Sequence, residues 1–485
     1  MSKPFYITTT LPYVNADPHI GHAFELVSAD IIARYRKLMG DEVFFNTGTD
    51  EHGLKIFRKA AEARKSPQEF ADILAEKFQS LPKALGISSD VHFIRTSNPR
   101  HKSAAQELWR RCDKNGFIYK QLYRGKYCVG CELEKSDSEL EGGRCPIHPN
   151  LEIETIEEEN YFFAFSKFQT SLLDFYRKRP DFVFPAPRFN EIQAFAERGL
   201  KDFSISRLKS KLPWGVEVPG DPEHSMYVWF DALVSYISTL GWPDDAASFK
   251  KWWVDTGGAL QFAGKDQIRQ QAAMWQAMLM ASGLPPSKQI VIHGFITHKG
   301  EKMSKSLGNI VDPFELVKEY GADAVRFYLS RHVHPFEDSD FTLAKFKEAY
   351  NADLANGLGN LVSRIMKMAQ EYKVRLPSSV EEGRQRGGGV FPQRFFQALD
   401  SYNIKTAADY VWRSIRELDE LIQKTEPYKL VKIDREKAQR VISELLEKLF
   451  RIAELLVPLL PETAEKIKKA VMENKMPGKP LFLRK

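Results

Sequence analysis

Phe5-Tyr6-Ile7-Thr8-Thr9-Thr10-Leu11 is an apolar, strand-like run, and the chain after it opens a helix on His19-Ile20-Gly21-His22 that runs to about Met39. The order then repeats. Glu42-Val43-Phe44-Phe45 leads into Gly48-Thr49-Asp50-Glu51-His52-Gly53, followed by a second helix through about Arg64. Strand and helix in alternation predict a parallel α/β sheet. Functional residues in such sheets gather where strands end and helices begin, and both polar stretches fall at those junctions.

The His19–His22 stretch has the chemistry of an anion site. Helix N-terminal amides and the dipole favour a phosphate, and Gly21 lets it approach the backbone. Far downstream, Lys302-Met303-Ser304-Lys305-Ser306 places two lysines among serines in a polar loop. Either stretch alone fits other nucleotidyltransferases, and a Lys/Ser loop also fits a solvated turn. Together, in this order, they point to a nucleoside triphosphate gripped from two sides.

From about Gly116 to Pro222 short strands and Gly/Pro punctuation interrupt the alternation, as an insertion would. The sheet then resumes. A helical YVWFDALVSYISTLGW segment, strand-like ALQFAG, a long helix around Met274 and strand-like QIVIHGF lead to the lysine loop. Beyond Pro313 the pattern is helical and amphipathic near 314–330, 343–373, 392–424 and 434–475, with a Gly-rich loop at 378–389. The last ten residues, MPGKPLFLRK, read as a strand or an arm folded back on the body.

Cys128-Val129-Gly130-Cys131 and Cys145-Pro146-Ile147-His148 form two ligand pairs separated by thirteen residues. Two such turns supply the tetrahedral set that Zn²⁺ takes, and four protein ligands leave no open position, so one structural zinc per chain is expected. Cys112, on an apolar helix face, reads as a small buried hydrophobe.

Composition narrows the class. The 70 basic residues nearly balance 64 acidic ones, leaving +6, which permits a local polyanion-binding face without requiring one. Four cysteines do not make a disulfide framework. The first residues, MSKPFYITTT, match neither a secretory nor a mitochondrial leader, and no stretch approaches the roughly eighteen apolar residues of a membrane span. A cytoplasmic protein is expected.

These stretches, with TTLPYVNADPHIGH, GTDEHG, YCVGCE, YVWFDAL, GKD at 264–266, HGFITHKGEKMSKSLGN, EYGADAVRFYLSR and ANGLGNLVSR, resemble the class I aminoacyl-tRNA synthetases. Among them the chain is most similar to the methionyl family, bacterial type with one zinc knuckle pair. The resemblance covers most of the 485 residues. It implies a Rossmann-type catalytic domain split by a zinc-binding connective insertion, followed by a C-terminal α-helical bundle. The expected divisions are 1–115 and 223–312 for the catalytic halves, 116–222 for the insertion, 313–345 for a stem-contact region and 346–485 for an anticodon-binding domain.

The implied activity is ligation of methionine to tRNA(Met) through a methionyl-adenylate, with ATP and Mg²⁺, for initiation and elongation of translation. By resemblance His19, Gly21, His22, Lys302 and Lys305 bind the ATP phosphates, while Gly264 and Asp266 hold the ribose. Asp50 pairs with the substrate ammonium beside the Leu11 backbone. Tyr13, Trp229, Ala232 and Tyr236 form the thioether pocket, although Trp229 and Tyr236, seven apart, fit core packing on spacing alone. Leu233 and Gln271 stand where the family often has proline and histidine, and with Gln267 they concern the pocket's shape. Asn360, Arg364 and Tyr428 are the implied anticodon contacts, with tyrosine where tryptophan is usual.

Two rivals follow. A leucine, isoleucine or valine enzyme usually carries a large editing insertion for which the zinc module leaves little room, and a cysteinyl enzyme uses an open catalytic zinc. A non-catalytic RNA-binding relative has no need of the full His/Asp/Lys set. With no segment resembling an extra C-terminal RNA-binding domain, a monomer is expected.

Overall fold

The computed structural model describes residues 2–131, 133–135, 137–298, 300–302, 310–377 and 392–485. It divides into two compact units. One comprises Met1–Pro18, Gly40–Leu81 and Ser89–His293; the other His19–Met39, Pro82–Ser88 and Gly294–Lys485. No helix among the described residues is long and apolar enough to cross a membrane.

The first unit is built on a six-stranded sheet in the order His92–Arg95, Glu42–Thr49, Pro4–Thr8, Leu260–Gly264, Gln289–His293, Val183–Phe184. Every pairing is parallel. Pro4–Thr8 therefore has one neighbour from early in the chain and one from late, which makes it the switch point where α/β sheets form their crevices. Such strands are covered on both faces, so they read as apolar runs: Leu260–Gly264 is buried throughout. Trp109, Trp253 and Trp275 are buried in the core around the sheet. Gly48 is fixed by close approach, since a Cβ there would lie 2.0 Å from the Ile94 carbonyl oxygen on the neighbouring strand.

Between the sheet's halves, Leu133–Lys135, Ile118–Cys128, Glu154–Phe163 and Phe203–Ser204 form an antiparallel sheet, and Glu217–Val218, Asp221–Met226 and Ser206–Leu208 a smaller one. Where the sheet resumes, the first helical element is shorter than the pattern predicts. YVWFDAL and its continuation form two short helices, Val228–Ala232 and Ser235–Ser238. The expected long helix near Met274 is present as one continuous helical run, Gln270–Met274 in π-helical geometry passing directly into Trp275–Ala281.

In the second unit the helix Ile20–Leu38 accompanies a largely helical remainder. The stretch near 314–330 is two helices, Pro313–Tyr320 and Ala322–Arg331, because Gly321 adopts φ 89°, a region an L side chain rarely enters. The last two amphipathic stretches also split, into Gln393–Asp400 with Ile404–Thr425 and Arg435–Leu456 with Pro461–Glu473. The terminal residues form an arm and no strand. Leu483 O accepts from Tyr350 Oη at 2.8 Å, and Lys485 exchanges hydrogen bonds with the Asn351 side chain. The Gly-rich loop expected at 378–389 lies outside the described residues.

Candidate amino-acid site, helix anion site and metal centre

The ends of the central strands in the first unit hold most of the expected amino-acid contacts. Thr9 N donates to Asn46 O and Thr10 N to Phe262 O, so the chain leaving Pro4–Thr8 is bound on both sides. Beyond them Asp50 N donates to Pro12 O and Val14 N to Asp50 O, a parallel bridge that sets Tyr13 beside Asp50. Asp50 is buried and Leu11 and Tyr13 are half-buried. A buried carboxylate at a crevice suits an ammonium group, because low polarity strengthens the pairing.

The next residue is pinned more heavily. Glu51, with a fully buried carboxylate, accepts two hydrogen bonds from Arg95 at 2.6 and 2.9 Å, one from Thr49 Oγ1 at 2.6 Å and one from Ser97 Oγ. Its amide donates to Thr96 Oγ1, and its carbonyl accepts from Trp214 Nε1. These groups hold the Asp50 backbone in place. The GTDEHG motif carried Glu51; nothing in the sequence pointed to its partners Arg95 and Trp214.

The aromatic residues of the expected pocket separate into two environments. Trp229 and Tyr13 are partly buried and pack in one cluster with Tyr127, Tyr227 and Val228. Leu233 and Tyr236 lie in the main core, where the Tyr236 carbonyl accepts from Tyr6 Oη at 2.8 Å. Ala232 is half-buried. Trp229 and Tyr236 thus do not share one helix face, because the helix breaks between them.

Gly264 ends its strand buried, Asp266 is exposed in the following turn and Gln267 is half-buried. Gln271 is buried within the π-turn, and its Oε1 accepts from Gln261 Nε2 at 2.9 Å. Gln271 is the residue that the resemblance sets where the family often has a histidine. π-turns of this kind recur at functional sites.

In the second unit His19 caps the Ile20–Leu38 helix. His19 Nδ1 accepts from Gly21 N and His22 Nδ1 accepts from His19 N, both at 3.1 Å, and the rings stack at 3.7 Å. With both Nδ1 atoms accepting, each neutral ring carries its proton on Nε2 and offers one N–H donor. Burial, then the adjacent His19 ring, hold the His22 imidazole well below its ordinary value. The glycine has a local reason too, since a Cβ at Gly21 would come within 2.9 Å of the His19 ring. Lys302 belongs to a two-residue strand paired with Thr297; Lys305 and the rest of its loop lie outside the described residues.

The two Cys/His turns converge. One ligand atom from each of Cys128, Cys131, Cys145 and His148 lies within 4.8 Å of all the others, with Cys131 Sγ 3.5 Å from Cys145 Sγ and 3.2 Å from His148 Nδ1. Three thiols and an imidazole at these separations suit a tetrahedral ion of about 2.0–2.3 Å bond length. Cys128 and Cys145 are fully buried, and a Cβ on Gly130 would meet His148 Cγ at 2.5 Å. These four residues form a metal-binding group. Cys112 lies apart and buried, with Sγ 3.8 Å from Met278 O.

Asn360 and Arg364 share the outer face of the Asn360–Glu371 helix, and Arg364 pairs with Asp419. Tyr428 is exposed in Pro427–Leu430.

Residues 5–155 and 150–366 match the family model described as tRNA synthetases class I (M). The chain is 43% identical to the methionine–tRNA ligase of Thermotoga maritima over 98% of its own length and 76% of that protein's. It is 50% identical to that of Thermosynechococcus vestitus over 77% of this chain and 70% of the relative. A structure of Mycobacterium tuberculosis methionyl-tRNA synthetase in complex with methionyl-adenylate superposes with a TM-score of 0.90 at 35% identity, covering 99% of this chain and 100% of that one. The free-state structure of that enzyme matches at a TM-score of 0.82 and 32% identity, covering 100% and 99%. The chain belongs to the class I aminoacyl-tRNA synthetases, in their methionyl family.

Proposed function

We propose that this chain activates methionine with ATP and transfers it to tRNA(Met), as a methionine–tRNA ligase of the cytoplasm serving initiation and elongation. The observation that carries the reading is its full-length likeness to a relative bound to methionyl-adenylate. The Tyr13–Asp50 bridge supports it from the residues up, by setting an aromatic wall beside a buried carboxylate.

In the first step a methionine carboxylate oxygen attacks the α-phosphorus of ATP; the bond to the bridging oxygen breaks and its electron pair leaves with pyrophosphate. Such a displacement needs positioning and charge neutralisation, and little covalent help. His19 and His22 offer Nε2–H donors at a helix N-terminus whose first turn carries no acidic residue, and Lys302 and Lys305 neutralise the leaving pyrophosphate. Gly264 and Asp266 hold the ribose, and Asp50 holds the ammonium. In the second step a hydroxyl of the terminal ribose of tRNA attacks the acyl carbon, and AMP departs with the electron pair of the broken anhydride.

Mg²⁺ would supply charge neutralisation on the phosphates. Zinc in the Cys128, Cys131, Cys145 and His148 group would close the insertion without entering the reaction, since that donor set fills a tetrahedron. Catalytic halves at 1–115 and 223–312, an insertion at 116–222, a stem-contact region at 313–345 and an anticodon-binding bundle at 346–485 complete the assignment, with Asn360, Arg364 and Tyr428 reading the anticodon. Leu233, Gln267 and Gln271 tune the pocket. A hydrophobic pocket separates single methylenes by about 1–3 kcal/mol, so these residues modulate selectivity around methionine.

Aminoacylation of purified tRNA tests the reading. Lys305→Ala with intact folding is expected to lose more than about a hundredfold in rate. Undiminished charging would exclude the assigned role.

A further inference from the structure

Asp231 is fully buried and meets one imidazole on each carboxylate oxygen. His52 Nδ1 lies 2.5 Å from Oδ2 and His101 Nε2 2.7 Å from Oδ1, and the three side chains are at most 1% exposed. The remaining His101 nitrogen, Nδ1, lies 2.9 Å from Ser238 Oγ. A hydroxyl can donate to Nδ1 while Nε2–H donates to the carboxylate, so the chain from Ser238 to Asp231 is consistent in every proton. Burial alone would raise the Asp231 pKa; the two imidazoles outweigh it and hold the carboxyl well below the ordinary range.

A buried carboxylate costs stability even when paired, and an apolar triad of similar volume would often serve the core as well. What the network joins suggests why it is present. Asp231 sits in Val228–Ala232, between Trp229 and Ala232 of the thioether pocket. His52 follows Asp50 and Glu51 at the end of the Glu42–Thr49 strand. The backbone there is already bound to Pro12 and Val14 through Asp50, to Thr96 and Trp214 through Glu51, and to Trp214 O through Gly53 N. The ring of His52, which also meets Trp214 edge-on at 5.3 Å, ties this segment directly to the Trp229 helix.

We propose that Asp231 is a positioning residue for the amino-acid substrate: by accepting N–H from His52 and His101 it fixes the spacing between the ammonium ligand Asp50 and the thioether wall Trp229. The two ends of one substrate are recognised by two separate chain segments, and a shift of either spoils both contacts. The assignment rests on the methionine-activating reading. It gives a positioning role to three residues that are at most 1% exposed.

Methionine-dependent ATP–pyrophosphate exchange by the wild type comes first, since its absence would overturn that reading and this inference with it. In an active enzyme, Asp231→Asn cannot accept both N–H bonds. It is expected to raise the KM for methionine at least about tenfold while the KM for ATP stays within about twofold. A methionine KM within about twofold of wild type, or equal rises for both substrates, overturns the proposal. Should Asp231→Asn fail to fold, His52→Asn and His52→Leu decide. The asparagine amide can still donate to Asp231 and leucine cannot, so the methionine KM of His52→Leu should exceed that of His52→Asn by about fivefold or more, and equal values overturn the proposal.

Discussion

Asp30 and Arg326, 296 positions apart in the chain, form an ion pair of 2.8 Å with both side chains fully buried. Asp30 lies in the helix that His19 caps, and Arg326 in Ala322–Arg331. Arg326 also donates to the carbonyls of Leu459 and Pro458, and Asp30 accepts from Arg34 and from Ser88 N. The helix that His19 caps is thereby fastened to the rest of the helical unit by a saturated buried charge pair.

Removing Arg326 leaves buried Asp30 with Arg34 as its remaining cation and takes the guanidinium donor from the Leu459 and Pro458 carbonyls. Arg326→Met is expected to destabilise the protein by about 3–5 kcal/mol, measured by urea unfolding. Burial raises the Asp30 pKa, but Arg326 and Arg34 outweigh it and the net shift is downward. A carboxyl with a depressed folded pKa contributes stability above its unfolded value and loses it as pH falls through the folded one. Asp30→Asn should accordingly flatten the acid limb of the stability profile below the ordinary carboxylate range.

His22 acts in the same direction over a higher pH range. Its folded pKa lies well below 6.5, so between the two values the unfolded chain binds the extra proton and stability falls as pH drops below 6.5. His22→Gln should lessen the loss of urea midpoint between about pH 7.5 and 5.5. His22→Ala, which keeps no N–H in the side chain, removes the proposed phosphate donor, and its exchange rate should fall by about 10²–10³-fold with the methionine KM little changed.

The thiols should divide three to one. With metal bound, Cys128, Cys131 and Cys145 resist a thiol reagent; after chelation those three react, and Cys112, which is fully buried, reacts only on unfolding. Mass spectrometry counts the adducts. Gly130→Ala, whose methyl would press on the His148 ring, should lower metal content and bring the three thiols into reaction without chelator.

Much of this architecture is legible in the amino-acid sequence. The parallel strands are buried on both faces and so stand out as apolar runs, and the metal group was visible because each ligand pair is local. Asp231, His52 and His101 were not, since three segments supply them and no spacing marks the set. Nor could the pattern show that the helix around Met274 begins in π-helical geometry at Gln270–Met274. The terminal residues read equally as strand or arm because both are extended; hydrogen bonds to Tyr350 and Asn351 side chains make them an arm. Trp229 and Tyr236 looked like one helix face, and the break after Ala232 separates them.

The claim that these residues activate methionine is tested most directly by ATP–pyrophosphate exchange with the purified chain and a panel of amino acids at equal concentration. Exchange with methionine is expected to exceed that with leucine, isoleucine, valine and cysteine. Faster turnover with any of those four would contradict the account.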